Sequence, residues 1–341
     1  MIASSLDLPE LIHELGRGAR GARSLSRAET RALFAAMLDG TVGDLELGAL
    51  LIAYRIKGET ADELAGMLDA AQATLECLVA PAADFIPAVI PSYNGARKLA
   101  NLTPLLALAL ARRGIPVLVH GDAADEYGRI SSASVFAALG IPACRDRGDI
   151  ESALHTQRLA FAPVDVLAPA LAGLLHTRAR IGVRGPAHMI AKLLQPFATP
   201  ALRLVNYTHP SYRDNIAALF ADAGLAGPAG VLLARGSEGE AVADPRRQVA
   251  VEWLRNGAAT ALIDPIAMVG PAPDLPTARD AATTARWIER ALAGLVEWPE
   301  SLTRQVDAIE RICNHNNARG DDREHLGESG TMRTPAARLA S

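Results

Sequence analysis

Aromatic residues are scarce in this chain, 4% of 341 residues, although half of all residues are hydrophobic. A core with so few rings must be packed from aliphatic and alanine side chains. Long apolar runs are absent as well. The longest, near Leu102–Ala111, contains a proline and falls short of the roughly 18 residues of a membrane span. The N-terminus, MIASSLDLPELIHELG, carries acids early and lacks a basic first region, so it does not read as a signal peptide. The three cysteines, Cys77, Cys144 and Cys313, are too far apart for metal spacing or a disulfide framework. Together these absences point to a cytoplasmic protein with no membrane contact. Lysine is rare too: only Lys57, Lys98 and Lys192 occur, and the other 31 cations are arginines. Arginine suits phosphate, because the guanidinium binds it in a bidentate way.

The net charge of −4 argues against a uniformly basic nucleic-acid binder. Its distribution says more. Residues 85–121 hold Arg97, Lys98, Arg112 and Arg113 but no acid. Residues 166–213 hold Arg178, Arg180, Arg184, Lys192, Arg203 and Arg213, again with no acid. At average composition these windows would contain roughly nine cations and nine acids. Burial would deplete arginine as well as acids, so the windows predict a local basic surface.

The length suffices for one large domain or two smaller ones. The first 80 residues read as helices over Leu6–Arg17, Arg27–Leu38, Asp44–Arg55 and Thr60–Leu75, with apolar residues three and four apart. Ser26 with Glu29, and Thr60 with Glu63, have capping-box spacing. From about residue 81 short apolar runs alternate with helices. Strands are expected at Phe85–Ile90, Pro116–His120, Arg158–Phe161, Leu202–Tyr207, Val231–Ala234, Gln248–Val251 and Thr260–Ile263. Helices are expected at Pro104–Arg113, Ser132–Leu139, Ile150–His155, Pro210–Ala223 and Thr277–Leu292. This alternation implies an α/β domain with a mostly parallel sheet. The interval 165–195 has helical patterns and no strand. The expected division is therefore a helical domain of residues 1–80 plus about 165–195, an α/β domain of 81–164 plus 196–313, and a flexible tail over 314–341.

The stretch 91–121 reads as loop, helix, turn and strand, the place where a phosphate-binding enzyme puts a glycine-rich loop. Only Gly95 is a glycine here, and Arg97 and Lys98 follow it. Such loops wrap phosphate with backbone N–H groups; this one offers side chains. Thr103 as N-cap and Pro104 as first helical residue start the next helix, and Ser131 and Ser132 start another. Helix N-termini attract anions. Each candidate has a structural alternative. Tyr93 stacks a base or caps a loop. His120 meets a ribose or phosphate, or is a structural donor. Arg184 is a cleft cation, or a structural partner of Asp165 or of a helix C-terminus. Arg112 and Arg113 complement a helix dipole without any ligand. His188 and Lys192, four apart, meet phosphates or solvent.

Several segments resemble the anthranilate phosphoribosyltransferase superfamily and its nucleoside phosphorylase relatives. They are Arg55-Ile56-Lys57-Gly58-Glu59-Thr60, Val119-His120-Gly121 with Ser131-Ser132, and Ile181-Gly182-Val183-Arg184. The resemblance runs from about residue 6 to 313. It implies a small helical domain packed on a larger α/β domain, a cleft between them, and a homodimer joined through the helical domain. The departures fall at the chemistry. The family's glycine-rich pyrophosphate loop is replaced by Pro91-Ser92-Tyr93-Asn94-Gly95-Ala96, a lysine by Val119 and an asparagine by Asp122. Of the aspartate–glutamate pair that holds magnesium, Glu240 alone keeps a carboxylate, with Glu238 a weaker substitute.

The segments Tyr93-Asn94-Gly95-Ala96-Arg97-Lys98 and Asn101-Leu102-Thr103-Pro104 resemble one branch, the YbiB-type proteins. That resemblance implies a dimer binding single- or double-stranded DNA or RNA with weak sequence preference, no cofactor, and weakened or lost transferase activity. The phosphate or nucleic-acid contacts it leads to are Tyr93, Asn94, Gly95, Arg97, Lys98, Thr103, His120, Ser131, Ser132, Arg178, Arg180, Arg184, Lys192 and Arg203. The alternative is a glycosyltransferase using phosphoribosyl pyrophosphate, Mg²⁺ and an aromatic or nucleobase acceptor.

Overall fold

The computed structural model describes residues 6–124, 127–266 and 274–314. The expected tail, beyond Asn314, lies outside the described residues.

Apolar spacing of three and four builds the N-terminal helices Leu8–Leu15, Arg27–Leu38, Asp44–Lys57 and Ala61–Gln72. Both capping boxes form. The second does more than cap. The carboxylate of Glu63 is fully buried and accepts from the Thr60 N–H (2.9 Å), the Leu25 N–H (3.0 Å) and the Lys57 ammonium (2.5 Å). It ties two turns to one helix start. Gly66 lets the second and fourth of these helices approach closely: a Cβ there would lie 2.3 Å from the Arg27 carbonyl oxygen.

The α/β part holds a seven-stranded sheet: β1 Ala88–Ser92, β2 Val117–Gly121, β3 Leu159–Pro163, β4 Leu202–Tyr207, β5 Val231–Arg235, β6 Val251–Arg255 and β7 Ala258–Ile263. The order is β3-β2-β1-β4-β5-β6-β7. The first five strands are parallel, and β6 and β7 are antiparallel additions. Asn256 and Gly257 both have positive φ (52° and 76°), the primed turn that a two-residue hairpin favours. Alternate residues of the central strands serve opposite faces. Val117 and Val119 pack with the helices Thr103–Arg112 and Glu300–Cys313, while Leu118 packs with the side that carries Arg147–Gln157. Val231 and Leu233 join the buried cluster of the N-terminal helices. So do Val164, Leu171 and Ile190, from the short helices Val164–Leu167, Pro169–His176 and Ala187–Ile190.

Several boundaries differ from the sequence reading. β1 starts at Ala88 rather than Phe85, and the strand expected at Gln248–Val251 runs over Val251–Arg255. Glu252, Trp253 and Arg255 of β6 are half-buried, and the two charges break the apolar run. The helix Glu300–Cys313 was not anticipated, although Leu302, Val306 and Ile309 recur at helical spacing along it.

Chain order places the cleft. From β1 the chain winds through β2 to β3 on one side of the sheet, then crosses to β4 and β5 on the other. In such sheets the crevice outside the carboxyl ends of the two strands at the switch takes the ligand. Here those strands are β1, which runs into Tyr93 and Asn94, and β4, which ends at Asn206 and Tyr207.

Candidate functional site

The loop after β1 is held from three sides. The hydroxyl of buried Tyr93 is 2.8 Å from His120 Nδ1, with the rings edge to face at 5.5 Å. Gly95 has φ 62°, and Ala96 exchanges backbone hydrogen bonds of 3.0 and 2.9 Å with Ile130. Asn101 donates to Ser132 Oγ (3.1 Å), which also lies 2.7 Å from Ser92 Oγ.

The third anchor comes from the turn between β5 and β6. Glu240 is 1% exposed. Its Oε1 accepts from the N–H groups of Asn94 (2.8 Å) and Gly95 (2.7 Å), and its Oε2 from the Thr103 hydroxyl (3.3 Å). The Glu238 carboxylate accepts from the N–H groups of Arg97 (2.8 Å), Lys98 (2.9 Å) and Leu99 (3.1 Å). Five amides of the loop thus end on two carboxylates of the same chain. Glu238 sits in the left-handed region (φ 53°), a conformation costing a non-glycine residue on the order of 1 kcal/mol or more. Gly239 beside it has φ 93°, and a Cβ there would overlap the Asn94 amide at 1.5 Å. Burial pushes the Glu238 carboxyl up, but its three N–H partners outweigh burial and hold it below the usual carboxylate range.

Around this loop the cations sort themselves. Arg184 donates to the Asn94 side chain and, at 3.3 Å, to the Tyr93 carbonyl. Arg129 donates to the Gly95 carbonyl at 3.2 Å. The Arg178 guanidinium lies 3.7 Å over the exposed ring of Tyr127. These three arginines line one pocket with Ser92, Asn94, Asp122, Tyr127 and Ser131. A second cavity of about 290 Å³ continues from Asn94 and Arg184 past His188, Lys192, Asn206 and Tyr212 to Tyr54 and Arg55 of the helical domain. Lys192 donates to the Gly239 carbonyl at 3.1 Å. Burial lowers its ammonium to about 8, partly opposed by Glu240. Burial, with Arg184 and Arg178 nearby, lowers His188 to about 3 and keeps it neutral. Arg97 and Lys98 are exposed, farther along the same loop. Among the described residues no carboxylate lies within ion-pair distance of Arg97, Lys98, Arg129, Arg178, Arg184 or Lys192.

Other expected residues sit elsewhere. Arg203 is 3% exposed and bonded to the carbonyls of Leu193, Leu225 and Ala226, so it fastens the fold and does not reach the cleft. Arg180 pairs with Asp44 on the surface (2.8 Å), Arg213 with Glu252, and Arg113 with Asp307 and Glu310. His120 is fully buried behind Tyr93 and lowered by burial to about 3. Ser131 caps the next helix through the Ser134 N–H (3.1 Å), and Ser132 is buried in the Ser92–Asn101 network. Thr103 is the first helical residue rather than the cap, and its hydroxyl is used by Glu240. Asp165 lies 3.5 Å from His176, not against Arg184. Sequence reasoning missed Arg129 because Asp122, Asp125 and Glu126 closely precede it, and Tyr127 carries no local signal. Among the described residues no group of three or more His, Cys, Asp or Glu side chains is placed to hold a metal. No helix of the described residues is long and apolar enough to cross a membrane.

Residues 9–74 match the glycosyl transferase family, helical bundle domain. Over 302 residues, 88% of this chain and 92% of the other, the sequence is 43% identical to the uncharacterized protein YbiB of Escherichia coli (strain K12). It is 30% identical to the anthranilate phosphoribosyltransferase of Methylobacterium radiotolerans over 284 residues, 80% of this chain and 78% of that one. The fold is similar to that of anthranilate phosphoribosyltransferase from Saccharomyces cerevisiae in complex with phosphoribosyl pyrophosphate and Mg. There the TM-score is 0.64 with 12% identity, covering 91% of this chain and 95% of that one.

Proposed function

Because the chain belongs to the anthranilate phosphoribosyltransferase superfamily, we propose that the cleft of that scaffold serves here as a nucleic-acid-binding surface on a homodimer. One observation carries this reading: Arg129, Arg178, Arg184 and Lys192 line the cleft and Arg97 and Lys98 stand exposed on its loop, none with an ion-pair partner among the described residues, while Arg113, Arg180 and Arg213 are paired elsewhere. Such a cluster gives a chain of net charge −4 a local site for a polyanion. Exposed Tyr127, with Arg178 over its ring, adds an aromatic surface on which an unpaired base stacks. Contacts to phosphate alone carry no sequence information, so preference among sequences is weak. The side chains put to this use are Arg97, Lys98, Arg129, Arg178, Arg184 and Lys192. Tyr93, Asn94 and Gly95 shape the loop they surround.

The phosphoribosyltransferase reading is favoured by descent and opposed by this geometry. Magnesium there needs carboxylate oxygens that face the cleft. Glu238 and Glu240 instead direct theirs at the loop N–H groups and at Thr103. These residues do not fit the metal.

Fluorescence anisotropy with a single-stranded oligonucleotide at low and moderate salt tests the proposal. Micromolar binding that weakens steeply with salt is expected. No binding, or binding indifferent to salt, sinks it. Light scattering on the eluted protein checks the dimer.

A further inference from the structure

We infer that the turn Ser237–Glu240 is a built-in competitor, its two carboxylates occupying an anion site made by the loop 94–99 and so excluding external phosphate from it. The site is formed by five backbone N–H groups, of Asn94, Gly95, Arg97, Lys98 and Leu99, and by the Thr103 hydroxyl. Every one of these donors ends on a carboxylate oxygen, at 2.7–3.3 Å. Backbone N–H groups gathered on one loop are a chemistry for phosphates as much as for carboxylates.

Three features say that the turn is fitted to this role. Glu238 adopts a positive φ that its three N–H partners hold in place. The Gly239 carbonyl is fixed by Asn206 Nδ2 (2.7 Å) and Lys192 Nζ (3.1 Å), so the turn is anchored from the opposite side. The Asn94 amide packs where only a glycine at 239 leaves room. Glu240 is moreover buried, and its charge opposes the lowering of the Lys192 ammonium by burial. The ligand class excluded is a diphosphate or a phosphorylated sugar, two anionic groups in reach of one loop.

The inference rests on the loop geometry and not on nucleic-acid binding, so a failed oligonucleotide experiment leaves it standing. The probe is inorganic pyrophosphate without metal, read by thermal shift and calorimetry on the full chain. Wild-type protein is expected to gain no stabilisation. The double variant Glu238→Ala/Glu240→Ala is expected to bind pyrophosphate about tenfold or more tighter than wild type, since several charge-assisted donors become free. Equal binding by both proteins, or none by a folded double variant, overturns the inference. Should the double variant fail to fold, amide hydrogen exchange on the wild type decides. Slow exchange at Asn94, Gly95, Arg97, Lys98 and Leu99, unchanged by pyrophosphate, supports the competitor. Fast exchange, or slowing on addition of pyrophosphate, refutes it.

Discussion

Arg184 and Arg180 lie four residues apart in the same acid-free window, yet their surroundings differ. Arg180 is exposed and spends its charge on Asp44. Arg184 is half-buried, braced on Asn94 and Tyr93, and its guanidinium is lowered from the ordinary value by burial, then by Arg178 and Arg129. Cations held together against their mutual repulsion are relieved by an anion. Arg184→Glu is therefore expected to weaken oligonucleotide binding on all sequences alike and to reduce the salt slope by about 1, while Arg180→Glu leaves both near wild type. Anisotropy titrations of the two variants side by side separate these outcomes. Lys192 supplies a pH test. With its ammonium lowered to about 8, the cleft loses a cation as pH rises from 7 to 9. Affinity should fall across that window in wild type and stay flat in Lys192→Met. Stability moves the other way. An unfolded lysine keeps its proton up to its ordinary 10.5, so between about 8 and 10.5 the unfolded chain binds more protons and this group's contribution to folding rises with pH. Glu238 acts at the acid end. Its carboxyl is held low in the folded chain, so its contribution is present above the ordinary carboxylate range and lost as pH falls through the folded value.

At the scale of elements, local signals were read well and distant ones were not. The helix Arg27–Leu38 has the bounds its apolar spacing and Ser26–Glu29 box define. β4, Leu202–Tyr207, likewise has the bounds its local sequence defines. Both depend on neighbours in sequence. The loop after β1 does not: its amides are satisfied by carboxylates some 140 residues away, and no spacing rule joins Gly95 to Glu240. Arg129 was hidden for a related reason, since a charge window sees the acids beside it in sequence and not the cations beside it in space. Glycines show the same division. Gly66 looks like any helical glycine, yet a Cβ there would meet the Arg27 carbonyl at 2.3 Å and the Arg31 N at 2.9 Å. Both are backbone atoms that cannot turn aside. Gly66→Ala should force the helices Arg27–Leu38 and Ala61–Gln72 apart and cost about 1–3 kcal/mol, despite alanine's better helix propensity. Thermal unfolding checks the sign, because an increase in Tm would mean the two helices yield without loss.

For the whole molecule the question is how a chain of net charge −4 holds a polyanion. Ion pairing is part of the answer. Several arginines away from the cleft are neutralised by local acids, as in Arg27 with Asp69 and Asp222, Arg147 with Glu151, and Arg304 with Glu300. Of the acids at the cleft, Glu238 and Glu240 face the loop amides, while Asp122 lines the pocket with the arginines. Negative charge farther from the cleft than a Debye length of about 10 Å is largely screened at moderate salt. Binding should be local, short in footprint and steeply salt-dependent. With about four to six cations per subunit in contact with phosphates, log affinity for a single strand should fall against log salt with a slope of about −3 to −4. A slope near zero would place the oligonucleotide on apolar or base contacts alone, and a slope twice as steep on a long oligonucleotide would show two clefts of one dimer sharing the strand. Comparing a short and a long oligonucleotide across the same salt series distinguishes these, because a strand too short to reach a second cleft cannot report it.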